Sequence, residues 1–348
     1  MGIDLSALKH SVQYNCSISD ATHAGHYTLC IYLLKMREYY RWEKDLGFHD
    51  RIDNEEIGRW LSDREEQWES LEEEAFLPIR INGADYDAFD SAAINKHLTE
   101  HGMVYSAGYV LRGKPHFFLA DLEQHLVQDN YQILISGKEY ARELSAPPAL
   151  SQRQTIFIRS ESLRRTIWEK VEESLWNKGE SPLVRAINCY DFKKHLDDSL
   201  QAMCDNELQT LVAHEIGEIK AGKLIGAEAW SSLLGEVQGT PLELMLRAIR
   251  DNLADCLSTL PGLVEAENPA RLHFFIATLS NMRKAIFPSL RDAYDDWLTS
   301  DSMTALRNIS DAGSRHWHDL AQQIVALYLS EGMSDLNAYE TLIDSNKL

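Results

Sequence analysis

The segment from Asp20 to about Trp42 most constrains how this chain can fold, because it is apolar on nearly every side yet carries ionisable residues. Its middle, Thr28-Leu-Cys-Ile-Tyr-Leu-Leu-Lys-Met36, spreads hydrophobes around most of a helical circumference. A helix of that kind is expected to be buried on all sides. At about 100° per residue, Asp20, His23, His26, Cys30 and Glu38 fall within one arc of roughly 120°. Burying a polar group without a partner costs on the order of a few kcal/mol, so this row has to meet something. His23 and His26 are therefore expected to be buried and bonded to side chains of other helices. A second helix, Asn206 to about Gly222, sets Glu207, Leu211, His214 and Glu218 on one stripe. Together the two stripes point to an interior polar site.

A length of 348 residues fits about two domains. The formal net charge of −20 argues against a nucleic-acid groove, which needs clustered Lys and Arg, and against an anionic membrane surface. The five cysteines, at 16, 30, 189, 204 and 256, form no C-x-x-C and no dense framework. That usage reads as reduced thiols in a cytoplasmic protein. No stretch approaches the roughly 18–20 apolar residues of a transmembrane helix, and no export signal is visible. Met1-Gly2-Ile-Asp-Leu-Ser6 fits the short myristoylation pattern but has no basic support. A protein partner or small-molecule ligand stays unspecified.

Asp53-Asn-Glu-Glu56 reads as a capping box opening an acidic amphipathic helix to about Ala75, with Trp60, Trp68 and Leu71 on its buried side. Strand signals follow at Leu77–Gly83, at Met103–Leu111 with His116–Ala120 around Arg112-Gly-Lys-Pro115, at Gln132–Ile135 and at Thr155–Ile158. Helix returns at Ser162–Asn177 and breaks at Lys178-Gly-Glu-Ser-Pro182. Thr240-Pro241-Leu-Glu243 then opens a helix expected to end at Pro261-Gly262. The expected fold is mainly α, of the α+β type. A domain over 1–190 combines N-terminal helices with a small antiparallel sheet (about 77–160), and a helical bundle fills 191–348.

Metal chemistry is the sharpest reading of the stripes. His26 with Cys30 at i,i+4, with His23 or Cys16 nearby, suits zinc, or iron if carboxylates join. One ion cannot take the whole row, since His23 and Glu38 lie roughly 22 Å apart along a helix axis. The plainer reading is a set of core residues, with Glu38 paired to Arg37 or Arg41. Val212-Ala-His-Glu-Ile-Gly-Glu218 resembles the zincin H-E-x-x-H, but Glu218 stands where the second His belongs. His214 and Glu218 can still share one metal, with Glu207 two turns earlier; Asp251, Asp255, His273 and Asp292 are candidate partners on other helices. Iron, zinc or manganese fits such a donor set. Asn281, Arg283 and Lys284 can hold an anionic ligand or answer the acidic helices. No G-x-S-x-G, P-loop or G-x-G-x-x-G is present, which removes the common serine-hydrolase and nucleotide-dependent classes.

The strings Asp20-Ala-Thr-His-Ala-Gly-His-Tyr-Thr-Leu-Cys30, Lys35-Met-Arg-Glu-Tyr-Tyr-Arg-Trp-Glu43 and His214-Glu-Ile-Gly-Glu218 resemble those of an uncharacterised bacterial family of similar length. The resemblance runs over most of the chain and implies a bacterial cytosolic, mostly helical protein with no known activity. Two functions stay open. One is a soluble helical protein whose buried His/carboxylate site binds a divalent metal, as a redox or hydrolytic enzyme. The other is a non-catalytic acidic interaction or regulatory protein. A thiol enzyme with Cys30 activated by His26 is a third, disfavoured because the surrounding apolar run would deny access to the thiolate.

Overall fold

The computed structural model describes residues 3–110, 113–176 and 179–348. Met1-Gly2 of the myristoylation pattern, Leu111-Arg112 at the expected hairpin turn and Asn177-Lys178 at the expected helix break lie outside the described residues. Two compact units emerge. The first comprises residues 1–148 and 157–168, the second 149–156 and 169–348.

In the first unit, α1 (Leu5–His23) is capped by the Asp4 carboxylate, which accepts from Ala7 N at 3.1 Å. Leu8, Val12 and Cys16, four residues apart, form its buried face. A 3₁₀ turn over Ala24–His26 separates it from α2 (Leu29–Glu43). Then come α3 (Asn54–Glu69), the short hairpin β1 (Ile79–Ile81) and β2 (Ala84–Tyr86), and α4 (Ser91–Leu98). Asp53 caps α3 through Glu55 N and Glu56 N, as the capping box predicts, and Trp60 and Trp68 are buried. The first unit's remaining strands are β3 (Met103–Tyr109), β4 (Pro115–Val127) and β5 (Gln132–Arg142); β6 (Ala149–Gln152) and the first two residues of β7 (Thr155–Arg159) belong to the second unit.

Two expectations fail here. The sheet is not small and antiparallel: five strands in the order β3-β4-β5-β7-β6 form a curled, mixed half-barrel, although the chain is 64% helical. Register shifts between β4 and β5 at Leu119/Ala120, Ala120/Leu122 and Leu122/Gln124 bend the two longest strands. At Gly137, within β5, a Cβ would meet the Glu123 side chain on the neighbouring strand β4. Nor is the segment from Asp20 to Trp42 one buried helix. It breaks at the 3₁₀ turn, and the start of α2 faces outward: Leu29, Ile31, Leu33 and Leu34 are 70%, 47%, 46% and 52% exposed. Burial resumes at Met36, Tyr39 and Tyr40, which pack with Trp60 and Trp68.

The first unit also buries a dense set of charges. Arg159, fully enclosed, donates to Glu139 at 2.8 and 2.9 Å and to Glu143 at 3.3 Å, while lying over the Phe118 ring. Asp20 accepts from Lys114 Nζ at 3.0 Å and from Leu144 N at 2.8 Å.

The second unit is helical apart from its strand residues. After α5 (Ser160–Trp176), whose second half belongs here, come α6 (Pro182–Asn188), α7 (Leu196–Ile225), α8 (Ala227–Glu236) and α9 (Pro241–Ala254). Thr240 caps α9 with Pro241 at its first turn, and Glu243 returns a bond to Gly239 N at 2.8 Å. Pro261 does not end this helical run. A π-helical turn, Asp255–Thr259, carries the chain into α10 (Leu260–Ala266), with Leu260 N bonding Asp255 O five residues back. Proline has no N–H for the carbonyl four residues earlier, and Lys220 Nζ reaches that Leu257 oxygen at 3.4 Å. The unit closes with α11 (Pro269–Thr278), α12 (Asn281–Ile286), α13 (Pro288–Ser300), α14 (Thr304–Glu331) and α15 (Leu336–Asp344) around a core that includes Trp230, Leu246, Leu253 and Trp317.

Candidate functional site

The geometry of the second unit begins with Gly217. A side chain there would collide with the backbone carbonyl of Ala254, so glycine lets α7 and the end of α9 approach closely. Beside this contact α7 presents His214, about one turn before Gly217, and Glu218, the residue directly after it. From α9 come Arg250, Asp251 and Asn252, and the π turn opens with Asp255.

One ligand atom each from His214, Glu218 and Asp251 lies within 4.8 Å of the others. Among the described residues this is the one group of three or more His, Cys, Asp or Glu side chains that converges in this way. His214 Nδ1 lies 2.8 Å from Asp255 Oδ1, which also accepts from Thr259 Oγ1 at 2.7 Å. Two arginines balance the carboxylates. Arg250 pairs with Glu218 Oε2, and Arg283 pairs with Asp255 Oδ2 while its Nε reaches Asn252 Oδ1 at 3.2 Å. Glu218 Oε1, by contrast, is cut off from solvent and has no hydrogen-bond partner. Burial pushes the Glu218 carboxyl above its ordinary range; Arg250 opposes the rise and Asp251 adds to it. Burial likewise raises Glu215, next to His214, to about 7.

The other expected site residues are dispersed. Glu207 is buried two turns before His214 in the neighbourhood of Arg271, and burial lifts its carboxyl to about 8. His273 bonds Tyr294 through Nδ1 at 2.8 Å and packs on Trp297. In the first unit His23 is half-buried, with Nδ1 at 2.9 Å from Ser19 O of its own helix, and His26 is exposed. Their rings meet edge to face at 5.5 Å. Neither ring is fully buried, and the hydrogen bond of His23 goes to its own helix rather than to a side chain of another. Cys30 is exposed and free, like the other four cysteines in carrying no disulfide. Glu38 is buried against Arg37 at 2.9 Å and Arg41 at 3.4 Å, as the plainer reading of that row expects.

Sequence reasoning named His214, Glu218 and both aspartates, but not Gly217, Arg250 or the π turn. The signal for the turn was Pro261 placed six residues after Asp255 in a run that otherwise continues as helix.

The fold and site define a protein with a curled-sheet unit and a helical unit, the latter carrying a His–carboxylate cluster. The chain belongs to a family of unknown function (DUF6866), matching its N-terminal domain over residues 7–159 and its C-terminal domain over residues 164–346. No curated protein and no solved structure matches it. Among the described residues, no helix is long and apolar enough to cross a membrane.

Proposed function

We propose that the protein binds one divalent metal ion, zinc, iron(II) or manganese(II), through His214, Glu218 and Asp251, and uses it in hydrolytic or redox chemistry. The observation that carries this reading is the convergence of these three ligand atoms within 4.8 Å beside the unpartnered Glu218 Oε1. One imidazole with two carboxylates suits these metals better than soft ions such as Cu(I). With Nδ1 engaged by Asp255, Nε2 is the nitrogen left to coordinate, and a carboxylate behind a ligating His fixes its tautomer and orientation. Three protein ligands leave a coordination position open for water or substrate, as a catalytic site requires.

A second reading rests on the arginines. Arg250 and Arg283 already pair with Glu218 and Asp255, and a cluster neutralised in this way also suits a non-catalytic interaction protein. Metal analysis of protein purified without a nickel column, then reconstituted with each of the three ions, separates the two. The metal reading expects about one equivalent bound, lost in His214→Ala with the fold retained. If His214 is only a core partner, that variant loses about 1–3 kcal/mol of stability and no metal. Failure of all three ions to bind would reject the site.

A further inference from the structure

A cavity of about 430 Å³ opens in the second unit between α5, α6, α11, α12 and α13. Its volume falls in the range of small-molecule sites, roughly 300–1,000 Å³. The floor is apolar, with buried Leu183, Ile276, Phe287 and Leu290. Its charged lining runs against the chain as a whole: Lys170, Arg283, Lys284 and Arg291 against Glu173 and Asp292, in a protein of net charge −20.

Three of these cations are answered by carboxylates. Lys170 pairs with Glu173 at 2.7 Å, Arg291 with Asp295 at 3.0 Å, and Arg283 with Asp255. Lys284 is not. Its Nζ meets the Ala277 carbonyl at 3.4 Å and no carboxylate among the described residues. Burial, then Arg291, Lys170 and Arg283, push its ammonium below the ordinary lysine range. Lys284 is thus the cation of this lining that no carboxylate among the described residues offsets, and an anion in the cavity would supply that partner.

We infer that this cavity is a binding site for a small amphipathic anion, a carboxylate or phosphate on an apolar body, with Lys284 as its principal charge partner and Arg291 as the second. The apolar body displaces water from the floor formed by Leu183, Ile276, Phe287 and Leu290, while the anionic head takes the position between the two side chains. Arg283 links the cavity to the His214–Asp255 pair, since it lines the one and holds the other. Anion binding here needs no metal, so it stands or falls apart from the metal site.

Calorimetric titration of the full chain with octanoate, octyl phosphate and 1-octanol tests it, the two anions distinguishing carboxylate from phosphate heads. At least one anion is expected to bind with one-to-one stoichiometry, at least ten-fold more tightly than octanol. Lys284→Gln, at an exposed position that does not threaten folding, should remove that advantage, and His214→Ala should leave it in place. No saturable binding of either anion, equal binding of octanol, or an unchanged affinity in Lys284→Gln would overturn the inference.

Discussion

His214 Nδ1 and Asp255 Oδ1 lie 2.8 Å apart, and their bond ties a regular helix to the first residue of a π-helical turn. Such turns are rare and recur at functional sites because the extra residue re-aims the side chains around it. Here the re-aimed group is the carboxylate that holds the imidazole. Asp255→Asn keeps the shape but loses the charge behind His214. Under the metal reading it should weaken metal affinity about 10–100-fold, because partners of ligating histidines carry effects of that size. Competition titration against a chelator of known affinity measures the change; an unaltered affinity would show that Asp255 serves Arg283 alone.

Gly217 sets the spacing on which the cluster depends. Gly217→Ala forces a methyl group into the Ala254 carbonyl, and backbone on both sides leaves little room to yield. Overpacking of this kind typically costs about 1–3 kcal/mol. Urea unfolding should show that loss, and metal binding should fall with it as α7 and α9 separate. Gly222, on the same helix with open space around it, is the control: Gly222→Ala should be neutral or slightly stabilising.

How much of this was legible in the sequence follows from which interactions are local. The Asp53 and Thr240 caps and the β3–β4 hairpin rest on neighbours in the chain, and they appear where the residues indicate. The stripe His214–Glu218 is local too, and its partners Asp251 and Asp255 were within reach as acidic residues of a following helix and the turn that ends it. The half-barrel was not legible. Its curl comes from bulges between β4 and β5, and the outer half of β4, Asp121–Val127, is largely solvent-facing, its few apolar residues not alternating with polar ones. The segment at Asp20–Trp42 misled because hydrophobicity around a circumference cannot reveal that Gly25 lies in a 3₁₀ turn, or that leucines of α2 face outward. The cavity assembles Lys170, Lys284 and Arg291 from separate helices, so no spacing rule could have joined them.

Arg159 is the keystone of the first unit's buried charges. Arg159→Ala leaves Glu139 and Glu143 enclosed without their main counter-ion, a change that typically costs about 3–5 kcal/mol. The same network predicts acid sensitivity. Although burial alone would raise it, Arg159, then Arg142, draw the Glu139 carboxyl down to about 2 from an ordinary 4.5. Its contribution is therefore complete above pH 4.5 and disappears as pH falls toward 2. Denaturant midpoints measured from pH 6 down to 2.5 should fall through this window, and less steeply in Glu139→Gln. Parallel curves would remove Glu139 from the account.

Glu207 predicts the opposite trend in the second unit. Burial raises its carboxyl from an ordinary 4.5 to about 8, with Arg271 and then Thr210 only partly offsetting the effect. The folded state thus holds a proton that the unfolded chain releases, so stability is complete below pH 4.5 and declines as pH rises to about 8. Each pKa unit corresponds to about 1.4 kcal/mol, which makes the decline on the order of a few kcal/mol. Glu207→Gln keeps the shape of the protonated acid and cannot ionise. It should match the wild type at pH 4 and exceed it in stability at pH 9, as read from urea midpoints at the two values. A constant difference between the two proteins across that range would mean that Glu207 is ionised in the folded state, held by Arg271, and that its burial does not govern its charge.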